Sequence, residues 1–197
     1  MPRPRTHDPD TVLDAAEALA VRSGPAAVTI RAVAAATSVS NGAIYHTFGS
    51  RSELLARTWI RAAHRFMALQ AELVDGHTGA EAVIAAAEAC AEFAARYPLS
   101  TKLFFTVRRA DLLGEDLSES VRTELDAPQR ILIDLMKRLA LELWDRKDAR
   151  AVDAITTCIV DLPTAILLER DRLADPTARE HLRAAVRAVL HVGPTPR

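Results

Sequence analysis

The sequence has little of what β-sheets, long loops and disulfide-stapled folds require. Glycine occurs seven times in 197 residues and aromatic residues make up 5% of the chain, whereas alanine is prominent. So few glycines argue against a loop-rich or all-β chain, and small side chains suit closely packed helices. The two cysteines, Cys90 and Cys158, are 68 positions apart and form no C-x-x-C or zinc pattern. We predict two buried free thiols in preference to a disulfide.

Targeting and membrane signals are also missing from the sequence. The first residues, M-P-R-P-R-T-H-D-P-D, contain no apolar segment of the kind found in secretory signals. No run of residues approaches the roughly 18 apolar positions that a membrane helix needs. We therefore expect a cytoplasmic protein.

Catalytic and metal-binding motifs are absent as well. The chain has no G-x-G-x-x-G, no Walker loop, no G-x-S-x-G and no H-E-x-x-H. None of the six histidines follows a glutamate by three positions, as helical di-iron sites require. The sequence predicts no catalytic residue, no cofactor and no metal site, so an enzyme on a helical scaffold is the least supported class.

Apolar residues recur with helical spacing along most of the chain and predict an all-α fold of about nine helices. Residues 55–73 carry apolar side chains at alternating steps of four and three, which indicates a long fourth helix starting at Arg51. The sequence places the start of a seventh helix at Pro128. It predicts an eighth helix from about Asp148 to Leu173, kinked at Pro163.

Residues 29–55 have the layout of a helix-turn-helix DNA reader followed by a further helix. Thr29, Ser40 and Ser50 each precede an apolar helical stretch and are predicted to accept hydrogen bonds from its first free N–H groups. Glu53 stands three positions after Ser50, the spacing of a capping box. Three caps within about two dozen residues predict short helices with sharp changes of direction.

The helix from Asn41 to Thr47 is the predicted reading helix. Ile44 and Phe48 share one side, which we expect to be buried, so Gly42 and His46 should point outward. A face of small and polar groups suits close approach to base edges in a major groove. Glycine in a first helical turn is also tolerated without such a role.

The candidate DNA contacts lie on this helix and on the starts of its neighbours. They are Thr29, Arg31, Ser40, Asn41, Gly42, Ala43, Tyr45, His46, Ser50 and Arg51. Arg51 opens a helix whose N-terminal dipole suits a phosphate, although Arg31 and Arg51 could equally be solvated surface residues. Arg3 and Arg5 could reach a minor groove, but a disordered terminus is the better supported interpretation.

The charge distribution agrees with this assignment. The net charge is −1, yet residues 1–65 carry eight arginines and five acidic residues, while the remainder carries 17 basic and 21 acidic residues. The positive excess therefore accompanies the helix-turn-helix, as phosphate binding requires.

This segment resembles the DNA-binding domain of the tetracycline-repressor-like (TetR) family of bacterial regulators. The matching motifs are V-A-A-A-x-x-V-S at 33–40, G-A-I-Y-H-x-F at 42–48 and S-R-S-E-L-L at 50–55. The chain departs from the family at Ser38, where a glycine is usual, and at Arg51, where a lysine usually binds phosphate. The resemblance implies a homodimeric, ligand-responsive transcriptional regulator, most often a repressor, that acts on double-stranded DNA.

We therefore predict a DNA-binding domain over residues 1–50 and a ligand-binding and dimerisation domain over 51–197. Candidate pocket residues, each of which could instead be plain core, are Phe66, Cys90, Phe93, Tyr97, Phe104, Met136 and Thr156. The last two helices are apolar on more than one side and predict a dimer interface. Its candidate residues, which could also be buried within one chain, are Ile159, Ile166, Leu182, Val186 and Val189. The alternative function is a helical small-molecule-binding or scaffold protein without useful DNA affinity.

Overall fold

All regular secondary structure in the part of the chain that the computed structural model describes, residues 8–114 and 116–194, is helical. The α-helices are α1 (Pro9–Ser23), α2 (Ile30–Thr37), α3 (Asn41–Phe48), α4 (Arg51–Asp75), α5 (Gly79–Arg96), α6 (Pro98–Thr106), α7 (Glu119–Trp144), α8 (Ala149–Thr156) and α9 (Pro176–Val192). Short 3₁₀ turns, Pro25–Ala27 and Arg109–Leu112, follow α1 and α6. The prediction of an all-α fold with about nine helices is confirmed. The predicted minor-groove arm with Arg3 and Arg5 lies outside the described residues.

Helix α7 begins nine residues earlier than predicted. Pro128 lies inside the helix, is buried, and does not start it. Proline removes one N–H from the helical ladder and normally ends a helix or bends it. Here Val121 and Leu125, both without exposed surface, pack into a core on the N-terminal side of Pro128. Burial of these side chains keeps the segment helical across the proline.

Beyond α8 the helical path continues past Pro163 in wider, π-helical turns. After Thr156 the chain forms two π-helical turns, Thr157–Asp161 and Thr164–Leu168, one on each side of the proline. In these turns each N–H bonds five residues back, as where Glu169 donates to the Thr164 carbonyl at 2.9 Å. The helical path ends near Leu168, earlier than the predicted Leu173.

The chain forms two compact units. Unit 1 consists of the chain up to Ala63 together with Lys102–Asp126, and unit 2 consists of His64–Thr101 and Ala127 onward. The compact units therefore do not follow the predicted boundary at residue 50. Helices α4, α6 and α7 each contribute residues to both units.

The core of unit 1 explains why it is larger than the predicted head. Side chains of α1, α2 and α3 pack with the first three turns of α4. Leu112 and Leu117, which follow α6, are buried in the same cluster. The segment after α6 is thus part of the head's hydrophobic core.

Unit 2 is built on α5, most of whose residues are buried. Leu182 and Val186 of α9 have no exposed surface, and α9 packs along α5. Glu88 of α5 is also buried and pairs with two arginines of α9, Arg179 at 3.2 Å and Arg183 at 2.9 Å. The α5–α9 contact therefore combines an apolar core with a row of ion pairs.

One helical stretch corrects the expectation that no run could span a membrane. Among the described residues, Ala149–Leu168 is long and apolar enough to do so by length and composition, and 39% of its apolar window is buried. Core helices of soluble proteins pass the same test, so this stretch alone is weak evidence for a membrane span.

Candidate nucleic-acid interface

The three predicted caps are formed by the predicted side chains. The hydroxyl of Thr29 accepts the N–H of Ala32 at 3.1 Å, and that of Ser40 accepts the N–H of Ala43 at 3.2 Å. Ser50 accepts the N–H of Glu53 at 3.1 Å. Each cap satisfies an N–H group that the helix itself leaves without a partner. The caps fix where α2, α3 and α4 begin.

The turn between α2 and α3 depends on Ser38. Its backbone is left-handed, with φ 59° and ψ 17°. The TetR family, which this segment resembles, usually has glycine at this position. A residue with a side chain adopts the left-handed conformation at a cost of roughly 1–2 kcal/mol. Thr37 supports the turn, because its hydroxyl donates to the Val33 carbonyl at 2.8 Å and accepts from the Val39 N–H at 3.3 Å.

Helix α3 has one buried and one exposed side, as predicted. Ile44 and Phe48 are buried, 1% and 3% exposed, whereas Tyr45 is 54% exposed. The remaining predicted groove-facing residues, Asn41, Gly42 and His46, are exposed, and Ala43 is half-buried. A side chain at Gly42 would meet no atom of the chain within 4 Å. Packing within the chain does not require a glycine there, so the outward face of α3 is open to an external partner.

The neighbouring candidates differ in their surroundings. Thr29, Arg31 and Ser40 are exposed, and Ser50 is half-buried. Arg51 is exposed, but its guanidinium points back into the chain: Nε donates to the Val28 carbonyl at 2.6 Å and Nη2 to the Pro25 carbonyl at 2.7 Å. Sequence spacing could not reveal these partners, because they lie 23 and 26 positions away.

Glu53 completes only half of the predicted capping box. Its carboxylate does not return to the Ser50 N–H, which donates instead to the Phe48 carbonyl at 2.8 Å. Glu53 Oε1 accepts the N–H of Ser118 at 3.0 Å. Hydrogen bonding from Ser118, reinforced by the charge of Arg57, holds the pKa of Glu53 below its usual value.

The head is less positive than its sequence segment suggested. Residues 1–63 carry seven arginines and five acidic residues, but residues 102–126, which join unit 1, carry four basic and six acidic residues. Unit 1 is therefore neutral overall. Any attraction for phosphate must come from the local arrangement of groups around α3.

The predicted pocket residues are not all brought together. Phe66 and Phe93 pack edge to face at 5.3 Å between ring centroids, and Phe93 lies 5.5 Å from Tyr97. In the same unit, the Thr156 hydroxyl lies 3.2 Å from Met136 Sδ. Cys90 and Cys158 are buried free thiols, as predicted, and burial raises the pKa of each to about 12, so both stay protonated.

Phe104 does not belong with these residues. It lies in unit 1, with its ring 5.3 Å from that of Trp59. Cavities of about 510, 360 and 240 Å³ lie on unit 2, but none of the seven predicted pocket residues lines them. The largest lies between α5 and the start of α9, where Ala91, Ala94 and Ala95 face Pro176.

The predicted dimer residues divide in the same way. Leu182 and Val186 are fully buried inside the chain, and Ile159 is 7% exposed. Leu182 and Val186 pack within the chain and cannot contact a second copy, which corrects that part of the prediction. Ile166 and Val189 are half-buried and keep surface that a partner could cover.

Among residues 8–114 and 116–194, no group of three or more His, Cys, Asp or Glu could hold a metal ion.

Comparison with known proteins agrees with this geometry. Residues 12–58 match the model of the family described as bacterial regulatory proteins, tetR family. This match spans the caps, the left-handed turn and the exposed face of α3. No curated protein sequence matches the chain.

Solved structures share the whole fold. A tetR-family bacterial regulatory protein from Rhodococcus RHA1 is 18% identical with a TM-score of 0.70, covering 95% of this chain and 98% of that one. PfmR, a TetR-family transcriptional regulator from Thermus thermophilus, is 23% identical with a TM-score of 0.64, covering 94% and 99%. Over residues 12–58 the chain is thus similar to the tetR family of bacterial regulatory proteins, and its helices are arranged as in solved tetR-family regulators.

Proposed function

We propose that the chain is a cytoplasmic transcriptional repressor that acts as a homodimer on a pseudo-palindromic operator and responds to a small-molecule effector. One observation carries the proposal: α3 buries Ile44 and Phe48 and exposes Asn41, Gly42, Tyr45 and His46. A short, capped helix with that outward face suits insertion into a major groove.

The proposed contacts divide into two kinds. Asn41 and His46 carry hydrogen-bonding side chains on the outward face and are the proposed readers of base edges, with Gly42 and Ala43 allowing close approach. Thr29, Arg31, Ser40, Tyr45 and Ser50 are the proposed contacts to phosphate, which position the head without reading sequence.

The proposed dimer would use the apolar surface of the stretch Ala149–Leu168 and of α9 that the chain leaves uncovered. Less than half of the apolar window of Ala149–Leu168 is buried. Ile166 and Val189 lie on these two segments and retain exposed surface. Two heads related by a twofold axis would then meet half-sites about one helical turn of DNA, roughly 34–36 Å, apart.

The proposed effector would bind in unit 2 among Phe66, Phe93, Tyr97, Met136 and Thr156, near Cys90. Aromatic and thioether side chains favour an uncharged or partly apolar compound. Helix α4, which contributes residues to both units, is the proposed route by which binding alters DNA affinity.

Selection of bound duplexes from a random DNA pool tests the DNA-binding part of the proposal. We expect an enriched pseudo-palindromic site whose affinity falls steeply between low and moderate salt. Asn41→Ala and His46→Ala should change which bases are enriched, whereas Arg22→Ala, at the end of α1, should leave the preferred bases unchanged. Failure of the wild-type chain to bind any duplex at low salt would favour the helical scaffold alternative.

A further inference from the structure

Arg51 joins the two ends of the helix-turn-helix. It is the first residue of α4, two residues beyond the turn position Gly49 that ends α3, and it donates to the carbonyls of Pro25 and Val28 in the turn before α2. The distances, 2.7 Å and 2.6 Å, are those of strong charge-assisted hydrogen bonds. The chain from Pro25 through α2 and α3 to Arg51 is therefore closed into a ring by one side chain.

The carbonyl partners explain why an arginine suits this position. Val28 O lies just before the cap of α2, outside the helical ladder that starts at the Thr29 carbonyl. Pro25 O already accepts the Val28 N–H at 3.2 Å and takes Arg51 as a second donor. The guanidinium presents donors in a rigid fork that reaches both oxygens at once, which a lysine ammonium cannot reproduce with the same geometry.

We propose that Arg51 is a positioning residue, a clasp that sets the angle of α2 and α3 for base reading, and that direct phosphate contact is not its role. The inference rests on the proposed DNA-binding function. The Arg51 side chain would then have two separate effects. Its positive charge would raise the affinity for any duplex, whereas its two directed hydrogen bonds would raise the affinity only for the duplex that α3 is oriented to read.

The first test needs no DNA. Amide hydrogen exchange is measured on the full-length chain and on Arg51→Lys and Arg51→Ala, with Arg22→Lys and Arg22→Ala as controls at another exposed arginine of the head. The amides of Ala27, Val28 and Thr29, which bond within the turn, report on the clasp. We expect both Arg51 variants to exchange about tenfold faster there, the effect of losing two hydrogen bonds of ordinary net strength, and the Arg22 variants to match the wild type.

The second test uses the selected duplex and a random duplex at one salt concentration. Arg51→Lys keeps the charge, so we expect its affinity for random DNA to stay near that of the wild type while its affinity for the selected site falls about tenfold. Equal losses on both duplexes would identify a phosphate contact and overturn the clasp. Wild-type exchange rates in Arg51→Lys would overturn it too. If the wild-type chain binds neither duplex, the proposed function fails, and the exchange measurement still decides whether the clasp exists.

Discussion

Single side chains determine the local geometry of the head. The hydroxyls of Thr29, Ser40 and Ser50 accept N–H groups at the starts of α2, α3 and α4. Ser38 forms the turn between the first two of these helices with a left-handed backbone. Hydrogen bonds stabilise three of these four residues in their conformations, whereas Ser38 carries conformational strain.

Replacing Ser38 with glycine should stabilise the head. Glycine removes the roughly 1–2 kcal/mol cost of a left-handed residue and adds about 0.4–1 kcal/mol of unfolded-state entropy cost, so we expect a net gain of about 0.5–1 kcal/mol. Urea unfolding of the full chain measures it. Ala36→Gly, two positions earlier in α2, is the matched control and should lose about 1 kcal/mol. A loss in Ser38→Gly would show that the serine side chain supports the turn.

Glu53 should contribute stability that depends on pH. Its pKa is lowered in the folded chain from 4.5, first by the Ser118 hydroxyl and also by the Ser118 N–H. A depressed carboxyl pKa gives stability that is present above pH 4.5 and lost as the pH falls through the folded value.

We therefore expect Glu53→Gln to be less stable than the wild type at neutral pH, with the difference shrinking below pH 4.5. Urea unfolding of both proteins at each pH measures this. A constant difference between wild type and Glu53→Gln would contradict the assigned hydrogen bond.

At the scale of whole helices, packing determines how the chain accommodates Pro128 and Pro163 and how α5 and α9 contact each other. Pro128 lies within α7 because buried side chains before it hold the helix, and Pro163 is flanked by π-helical turns. Ion pairs join α9 to α5, and the side chains that form them differ widely in solvent exposure. Glu88 is 7% exposed and meets two arginines, whereas Glu81 and Arg187 are both more than half exposed.

This contrast predicts different effects of two similar substitutions. Glu88→Ala would leave Arg179 and Arg183 without a buried acceptor, and we expect a loss of about 2 kcal/mol, below the roughly 3–5 kcal/mol of a fully buried pair because both arginines are partly exposed. Glu81→Ala removes a surface pair and should cost at most about 0.5 kcal/mol. Equal effects of the two in chemical denaturation would show that burial of Glu88 does not govern the contact.

At the scale of the whole molecule, the surfaces that one chain leaves uncovered determine which partners it could bind. Unit 1 is neutral overall, so its net charge does not identify the face proposed to contact DNA. In a single chain 39% of the apolar window of Ala149–Leu168 is buried, and most of the other residues of this stretch are half-buried and keep some open surface. A second copy is the proposed partner for that surface.

Ile166→Glu tests this assembly. A carboxylate on the half-buried surface of the π-helical turn Thr164–Leu168 would have to be desolvated in the dimer, so we expect the variant to sediment as a monomer at concentrations where the wild type is a dimer. Ile131→Glu, at an exposed apolar residue of α7, is the control and should leave the dimer intact. Recovery of the wild type in the membrane fraction would contradict a soluble dimer.

The sequence alone was sufficient for the helical class, the three caps of the head and the buried side of α3. These features depend on groups within one or two helical turns of each other, so residue spacing contains the information. The family resemblance also drew attention to Ser38, where a glycine is usual, but only the structure showed that its backbone is left-handed.

Only the tertiary structure decided where Arg51 and Glu53 bond, that the segment after α6 joins the core of the head, and that Leu182 and Val186 lie inside the chain. Their partners are far away in sequence, and helical periodicity shows that a face is apolar but not what covers it. Long-range packing also kept Pro128 inside a helix, since burial of Val121 and Leu125 outweighs the lost backbone hydrogen bond.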